Sequence, residues 1–235
     1  MTLERIDYTD RGTALTGWLA RPSGPARGAI VIFPTIANVT PAIERRAAML
    51  AQAGFVALIA DYYGEPVASF EASRPLAEKL RTDTRHYRAR LAASLVALRS
   101  HEAAAGLPLG AIGFCMGGQA ALELARDGQD IMLAASFHGL LDTGLPASGT
   151  GSIKPRVLVC HGDADPMVPR QQVLAFWEEM DAVSANWHFH AYSGVRHGFT
   201  DPASDTRGLD AVRYDASADR QSWAALMSLC DEVFG

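Results

Sequence analysis

The segment Gly113-Phe114-Cys115-Met116-Gly117 contains a residue that could act as a nucleophile. It follows an apolar run typical of a buried strand and precedes a sequence that favours a helix. A sharp strand-to-helix turn strains its central residue, and glycines two positions away on either side avoid collisions with it. The thiol would lie at a helix N-terminus, where the helix dipole favours a thiolate. We therefore predict that Cys115 is catalytic rather than a structural cysteine in a tight turn.

A thiol nucleophile needs a base, and an acid to orient that base. His197 lies in a glycine-bracketed loop after the last predicted strand, so it could reach over the nucleophile. Asp165 follows another predicted strand, in a loop that continues D-x-x-V-P into a helix, and Asp163 on the same loop is the alternative acid. The order nucleophile, acid, histidine is that of a known catalytic triad. The N–H of Met116 would supply half of an oxyanion hole.

Six further histidines fit the role of base less well, and they lack the spacing of a recognised metal site. We expect two on helix surfaces, two on one strand face and two near other strand ends. They are His86, His101, His188, His190, His138 and His161. Structural or supporting roles are predicted for them, and the sequence implies no metal and no cofactor.

The composition is that of an ordinary folded protein. The chain has 235 residues, of which 49% are hydrophobic and 20% charged, and a net charge of -5. This charge predicts no nucleic-acid partner, and no oligomer is implied. We expect no signal peptide, no membrane span and a single domain over residues 1–235. The three cysteines are odd in number and far apart, which predicts free thiols and a cytoplasmic location.

The hydrophobic pattern predicts an α/β fold. After an antiparallel pair near the start, short apolar runs alternate with helical segments, as in a mainly parallel sheet covered on both faces. The predicted strands are 5–8, 14–20, 29–33, 55–60, 109–114, 132–137, 156–160 and 187–192. The predicted helices are 41–53, 71–80, 85–105, 116–126, 169–180 and 216–233. Ligands bind such sheets at the carboxyl ends of the strands.

With these motifs in place, the chain resembles the dienelactone hydrolase family of cysteine-dependent α/β-hydrolases over nearly its whole length. The matching motifs lie at 30–32, 60–63, 113–118, 165–169 and 197–199. The resemblance implies an α/β-hydrolase fold with about seven or eight strands. It also implies a triad of Cys115, Asp165 and His197, with the N–H of Ile36 completing the oxyanion hole.

Two positions depart from the family pattern. Members that cleave dienelactone have a glutamate beside the cysteine, and this position is Thr35 here. They also hold the substrate carboxylate with arginines, one of them shortly after the catalytic histidine, where this chain has Asp201. An aspartate there would repel an anionic substrate. Four arginines could offer a cationic contact near the mouth of the site, although a solvated helix face is the preferred interpretation. They are Arg74, Arg81, Arg85 and Arg88.

The sequence thus predicts an enzyme that cleaves a neutral or weakly polar carboxylic ester or lactone through a thioester on Cys115. A true dienelactone hydrolase, acting on an anionic lactone with rearranged arginines, is the alternative enzyme. A protein of another class, in which Cys115 senses oxidants without hydrolysis, is also considered. The complete triad disfavours a sensor, because a sensor needs a reactive thiol but no aligned acid.

Overall fold

The computed structural model describes residues 3–235, which contain one eight-stranded sheet flanked by helices. The sheet order is β1-β2-β4-β3-β5-β6-β7-β8. The first hairpin is antiparallel, β2 joins β4 antiparallel, and the strands from β4 to β8 run parallel to one another. The strands are β1 Glu4–Asp10, β2 Thr13–Ala20, β3 Gly28–Phe33, β4 Phe55–Ile59, β5 Leu109–Phe114, β6 Leu133–Phe137, β7 Arg156–Gly162 and β8 Trp187–Tyr192.

The helices agree with the predicted positions to within a few residues. They are α1 Pro41–Gln52, α2 Phe70–Thr82, α3 Thr84–Ser100, α4 Met116–Arg126, α5 Arg170–Ala182 and α6 Ala216–Phe234. The largest difference is at the end of α3. The helix ends at Ser100 instead of continuing to residue 105 as predicted, and a short 3-10 turn, Glu102–Ala104, follows. A second 3-10 turn at Pro202–Thr206 was not predicted from the sequence. None of the helices among residues 3–235 is both long and apolar enough to cross a membrane.

Two apolar layers cover the two faces of the sheet. Alternate residues of β3 point to opposite sides, so Val31 and Phe33 face one layer while Ile30 and Ile32 face the other. The first layer includes residues of α2, α3, α4 and α5, and the second includes residues of α1 and α6. Every residue of β3, β4, β5 and β6 is buried, as expected of parallel strands covered on both sides.

Local sequence sets the helix that lies beside the predicted site. The hydroxyl of Thr40 accepts a hydrogen bond from the N–H of Ile43, and Pro41 occupies the first helical position of α1. Both features favour helix initiation at this point. As a consequence, α1 begins close to the carboxyl end of β3, where ligands of such a sheet bind.

Candidate active site

The predicted nucleophile elbow joins β5 to α4. Cys115 adopts φ 59° and ψ -120°, a conformation that costs a non-glycine residue about 1–3 kcal/mol. A Cβ on Gly113 would lie 1.9 Å from the carbonyl oxygen of Gly117, and one on Gly117 would lie 1.9 Å from that of Phe33. Only glycine fits at these two positions, and the tight approach places the thiol at the N-terminus of α4.

The imidazole of His197 lies between an acid and the thiol. Its Nδ1 is 2.7 Å from Oδ2 of Asp165, and both residues are 3% exposed. The other carboxylate oxygen of Asp165 accepts a hydrogen bond from the N–H of Met167 at 2.8 Å, which holds the carboxylate in place. Nε2 of His197 is buried and has no hydrogen-bond partner among the described residues, and the imidazole lines the same cavity as the Cys115 thiol.

The two aspartates of this loop have different surroundings. Asp163 forms an ion pair with Arg170 at 2.6 Å, and this hydrogen bond lowers the pKa of the Asp163 carboxyl. Asp165 alone of the two contacts the imidazole of His197. The geometry therefore favours Asp165 as the orienting acid.

Electrostatics couple the thiol and the imidazole. Burial favours the neutral thiol, but the charge of His197 and the backbone N–H of Met116 are among the interactions that together outweigh that effect, so the pKa of Cys115 is lowered. Burial also favours the neutral imidazole, but the charge of Cys115 and the hydrogen bond to Asp165 raise the pKa of His197 to about 10. Both shifts favour a thiolate–imidazolium pair near neutral pH.

Three tyrosine hydroxyls hold the backbone around the predicted oxyanion hole. Tyr63 donates to the carbonyl of Ile36 at 3.0 Å, and Tyr62 donates to that of Pro34 at 2.8 Å. Tyr87 donates to the carbonyl of Met116 at 3.3 Å. The sequence motif that contains Tyr62 and Tyr63 suggested the family, but it did not reveal this bracing role. Each contact joins a tyrosine hydroxyl to a carbonyl 27 to 29 residues away in the chain.

A cavity of about 150 Å³ opens beside Cys115 and His197. Its apolar wall includes residues from α1, α2 and several loops. These residues are Ile36, Ala42, Ile43, Phe70, Phe114, Met116, Leu140, Met167, Leu209 and Val212. An engineered cavity of similar volume binds benzene, so the space suits a small acyl or aromatic group.

Charged side chains also reach this cavity, and the structure corrects part of the sequence interpretation. Arg74 and Arg81 line the cavity, whereas Arg88 is buried in an ion pair with Glu123 at 2.7 Å. The interpretation of a solvated helix face is therefore wrong for Arg88. Asp201 lines the cavity as well, paired with Arg207, a residue that sequence analysis missed.

Thr35 lines the cavity at the position where dienelactone-cleaving relatives carry glutamate. Its hydroxyl accepts a hydrogen bond from the N–H of Ala37 at 3.3 Å. Glu44 and Glu65 line other surface depressions. Asp201 is the one carboxylate on the cavity wall among residues 3–235. Within this part of the chain, no three His, Cys, Asp or Glu side chains come together to form a metal site.

The sheet order, the strained elbow and the acid–histidine pair define an α/β-hydrolase. The chain belongs to the dienelactone hydrolase family, whose model matches residues 15–234. It is accordingly a hydrolase of the carboxylic ester and lactone class.

Two well-matched solved structures cover the whole chain. One is a dienelactone hydrolase-like promiscuous phosphotriesterase, P91, from metagenomic libraries, which is 34% identical with a TM-score of 0.91. The other, m3DLH, is 36% identical with a TM-score of 0.92. In each case the match spans 100% of this chain and 99% of the other. These matches extend the family assignment to the tertiary structure.

Two relatives are similar in sequence. An uncharacterized protein of Caenorhabditis elegans is 40% identical over 150 residues, which are 62% of this chain and 92% of that protein. A probable 2-oxo-3-(5-oxofuran-2-ylidene)propanoate lactonase from Bradyrhizobium sp is 29% identical over 212 residues, 85% of this chain and 84% of that protein.

Proposed function

We propose that this protein hydrolyses a small carboxylic ester or lactone through a thioester on Cys115. His197 is the base, Asp165 orients it, and the N–H groups of Met116 and Ile36 bind the oxyanion. One observation carries the proposal. Nδ1 of His197 lies 2.7 Å from Asp165, and the imidazole shares a cavity wall with the thiol at the strained elbow, whose charge raises the pKa of His197.

The proposed acylation starts from the thiolate–imidazolium pair. Sγ of Cys115 attacks the carbonyl carbon, and the carbonyl π bond becomes an oxyanion that accepts hydrogen bonds from the two backbone N–H groups. Collapse of this intermediate breaks the bond to the alcohol oxygen, which takes the proton from Nε2 of His197. The products of this half-reaction are a thioester, a free alcohol and a neutral imidazole.

Thioester formation itself prepares His197 for the second half-reaction. The charge of Cys115 is the largest contribution that raises the pKa of His197, and acylation removes this charge. The imidazole can then accept a proton from water as the water oxygen attacks the thioester. Collapse of the second intermediate breaks the bond between carbon and Sγ, releases the acid and restores the thiolate–imidazolium pair.

The cavity supports a neutral or weakly polar acyl group. Most of its wall is apolar, and its volume of about 150 Å³ suits a group the size of a benzene ring. The sequence predicted that Asp201 repels anions. Arg207 balances the charge of Asp201, so this residue gives no reason to expect a neutral substrate. The preference for a neutral substrate therefore rests on the apolar wall.

An anionic lactone is the second candidate substrate, and a specific observation favours it. Arg207, ten residues after His197, lines the cavity beside Cys115. Arg74 lines the cavity too and forms no ion pair with any described residue. Because Asp201 balances Arg207, the guanidinium of Arg74 adds a positive charge at the cavity that would attract a carboxylate.

The test is burst kinetics with p-nitrophenyl acetate, followed by mass spectrometry of the quenched enzyme. We expect an acetyl group on Cys115, and we expect Cys115→Ala to lower kcat by about 10⁴-fold or more. Cys160 is buried and its pKa is raised to about 12, so Cys160→Ala is the matched control and should keep its turnover. An adduct on a serine or on Cys160 would refute the nucleophile.

A wild-type protein that is alkylated readily at Cys115 but releases no burst of nitrophenol would instead favour the oxidant sensor. A thiol nucleophile works only in its reduced form, so we place the proposed reaction in a reducing compartment such as the cytoplasm. The proposed partner is a small-molecule ester or lactone.

A further inference from the structure

His138 lies at the carboxyl end of β6, the strand that neighbours β5 and its nucleophile elbow. It is 2% exposed and has φ 41°, an unusual conformation for a residue with a side chain. It lines the same cavity as Cys115 and His197, yet it has no part in the proposed triad. A buried residue in a strained conformation is expected to be held by specific contacts.

That contact is to the backbone of the nucleophile. The N–H of Cys115 lies 3.1 Å from Nδ1 of His138 and 3.0 Å from the carbonyl of Phe137. Because a backbone N–H can only donate, Nδ1 of His138 must be unprotonated. Burial, followed by the charges of His197 and Arg46, lowers the pKa of His138 well below its usual range, so the ring is neutral.

The other nitrogen of the ring has a matching partner. In a neutral imidazole with an unprotonated Nδ1, the proton is on Nε2, which lies 2.9 Å from the Thr200 hydroxyl. The carbonyl of Thr200 accepts a hydrogen bond from the buried guanidinium of Arg46 at 3.2 Å, and Arg46 pairs with Asp219. A chain of polar contacts thus runs from α1 and α6 to the backbone of Cys115.

The ring of His138 also contacts the proposed base. Its centroid is 5.1 Å from that of His197, with the two rings 68° apart, and 5.2 Å from that of Phe199. The imidazole of His197 is therefore packed against a side chain whose orientation is set at both nitrogens. His138 thus contacts both the backbone of Cys115 and the imidazole of His197.

We propose that His138 is a positioning residue, which holds the peptide before Cys115 through Nδ1 and the imidazole of His197 through its ring. The proposal rests on the nucleophilic role proposed for Cys115. Fixing the N–H of Cys115 fixes the peptide plane on which φ of this residue depends. The direction of Sγ and of the next N–H, that of Met116, follows from that backbone conformation.

Two substitutions distinguish the contribution of Nδ1 of His138 from that of Nε2. In His138→Asn the amide oxygen occupies the place of Nδ1 and can accept from Cys115, but the bond to Thr200 is lost. In His138→Gln the longer side chain can donate towards Thr200, but it leaves the place of Nδ1 empty. We expect kcat to fall by about 10²-fold in His138→Gln, with KM changed less than about threefold. His138→Asn should keep at least about tenfold more of kcat than His138→Gln.

A readout that needs no substrate keeps this test apart from the proposed function. The rate of iodoacetamide alkylation at Cys115 should fall in His138→Gln more than in His138→Asn. If the wild type cleaves no ester but this contrast in alkylation appears, the proposed function fails and the positioning role stands. Equal alkylation rates and equal kcat in the two variants would overturn the positioning role.

Asparagine tolerates positive φ better than glutamine does, so a second pair of variants leaves position 138 unchanged. Thr200→Val removes the hydroxyl that fixes the proton on Nε2, and it should lower the alkylation rate and kcat several-fold. Thr200→Ser restores the hydroxyl and should recover most of that loss. A Thr200→Val enzyme that matches the wild type in both rates would also overturn the proposal. Thermal melting of all four variants shows whether a loss follows from unfolding.

Discussion

Arg207 forms an ion pair with Asp201 on the wall of the cavity, and its guanidinium lies over the ring of Phe70 at 5.5 Å. Asp201 also caps the short 3-10 turn that follows, because its carboxylate accepts a hydrogen bond from the N–H of Ala203 at 2.9 Å. The aspartate is thus neutralised by a nearby cation rather than left free to repel an anion. This pair contributes to the electrostatic field of the cavity, which Arg74 and Arg81 also line.

Releasing Arg207 should change the preference for substrate charge. Asp201→Asn keeps the cap but removes the negative charge, so we expect kcat/KM for a carboxylate-bearing ester to rise about tenfold relative to a neutral ester of equal size. Glu178→Gln removes one negative charge at an exposed position of α5 and is the matched control. Steady-state kinetics on the two esters measures the ratio. An unchanged ratio in Asp201→Asn would show that Asp201 has no influence on substrate charge.

The two aspartates of the loop after β7 should differ strongly in function. Oδ2 of Asp165 lies 2.7 Å from Nδ1 of His197, so we expect Asp165→Asn to lower kcat on the order of 10⁴-fold by analogy with serine triads. Asp163 pairs with Arg170 at the surface, so Asp163→Asn should cost far less. Both substitutions keep the size of the side chain, and the kcat of ester hydrolysis is measured for each variant. The reverse ranking would assign the acid role to Asp163.

The reactivity of Cys115 should reflect a lowered thiol pKa. The alkylation rate should rise as pH increases through the pKa of the thiol, with an inflection below the ordinary value of about 8.5. The imidazolium of His197, with its pKa raised to about 10, then stays protonated up to that pH, so the ion pair persists between the two values. The measurement is iodoacetamide alkylation across pH. An inflection near 8.5 in the wild type would contradict the ion pair.

Thr35→Glu tests the origin of this reactivity. A carboxylate on this wall of the cavity disfavours the thiolate, so the inflection should move to higher pH. Thr35→Gln has the same size without the charge and should leave the inflection close to that of the wild type. If the inflection moves by the same amount in the glutamate and glutamine variants, the size of the side chain rather than its charge is responsible.

The hydroxyl of Tyr63 should contribute to oxyanion binding through the backbone of Ile36. Tyr63→Phe removes its hydrogen bond to the carbonyl of Ile36, worth about 1 kcal/mol, so kcat should fall about fivefold with little change in KM. Tyr192→Phe is the control, because that hydroxyl lies against the thiol of Cys160 instead. A Tyr63→Phe enzyme that loses only substrate affinity would contradict the bracing role.

Much of the fold could be predicted from the sequence, because its signals are local. Continuous apolar runs marked the buried strands, and Thr40 followed by Pro41 marked where α1 begins. The glycines around Cys115 were equally informative, since the turn leaves no space for a Cβ at Gly113 or Gly117. The second 3-10 turn was missed because its sequence has no comparable periodic pattern.

The chain order of Cys115, Asp165 and His197 was visible in the sequence as well, whereas their environment depends on contacts between distant segments. Spacing alone left Asp163 as an alternative, and only the folded chain shows which aspartate reaches His197. His138 could have been suspected from its place at the end of the strand beside β5, but its bond to Cys115 depends on sheet order and ring orientation.

Sequence by itself determined the strands, the helices and the strained turn at Cys115, because these follow from hydrophobic period and steric limits within a few residues. Tertiary structure decided the charge balance of the cavity. Arg207 neutralises Asp201 because the chain folds back through a short 3-10 turn, and Arg46 from α1 meets Asp219 from α6. Electrostatic energies depend on distance and burial in three dimensions, and neither quantity can be read from positions along the chain.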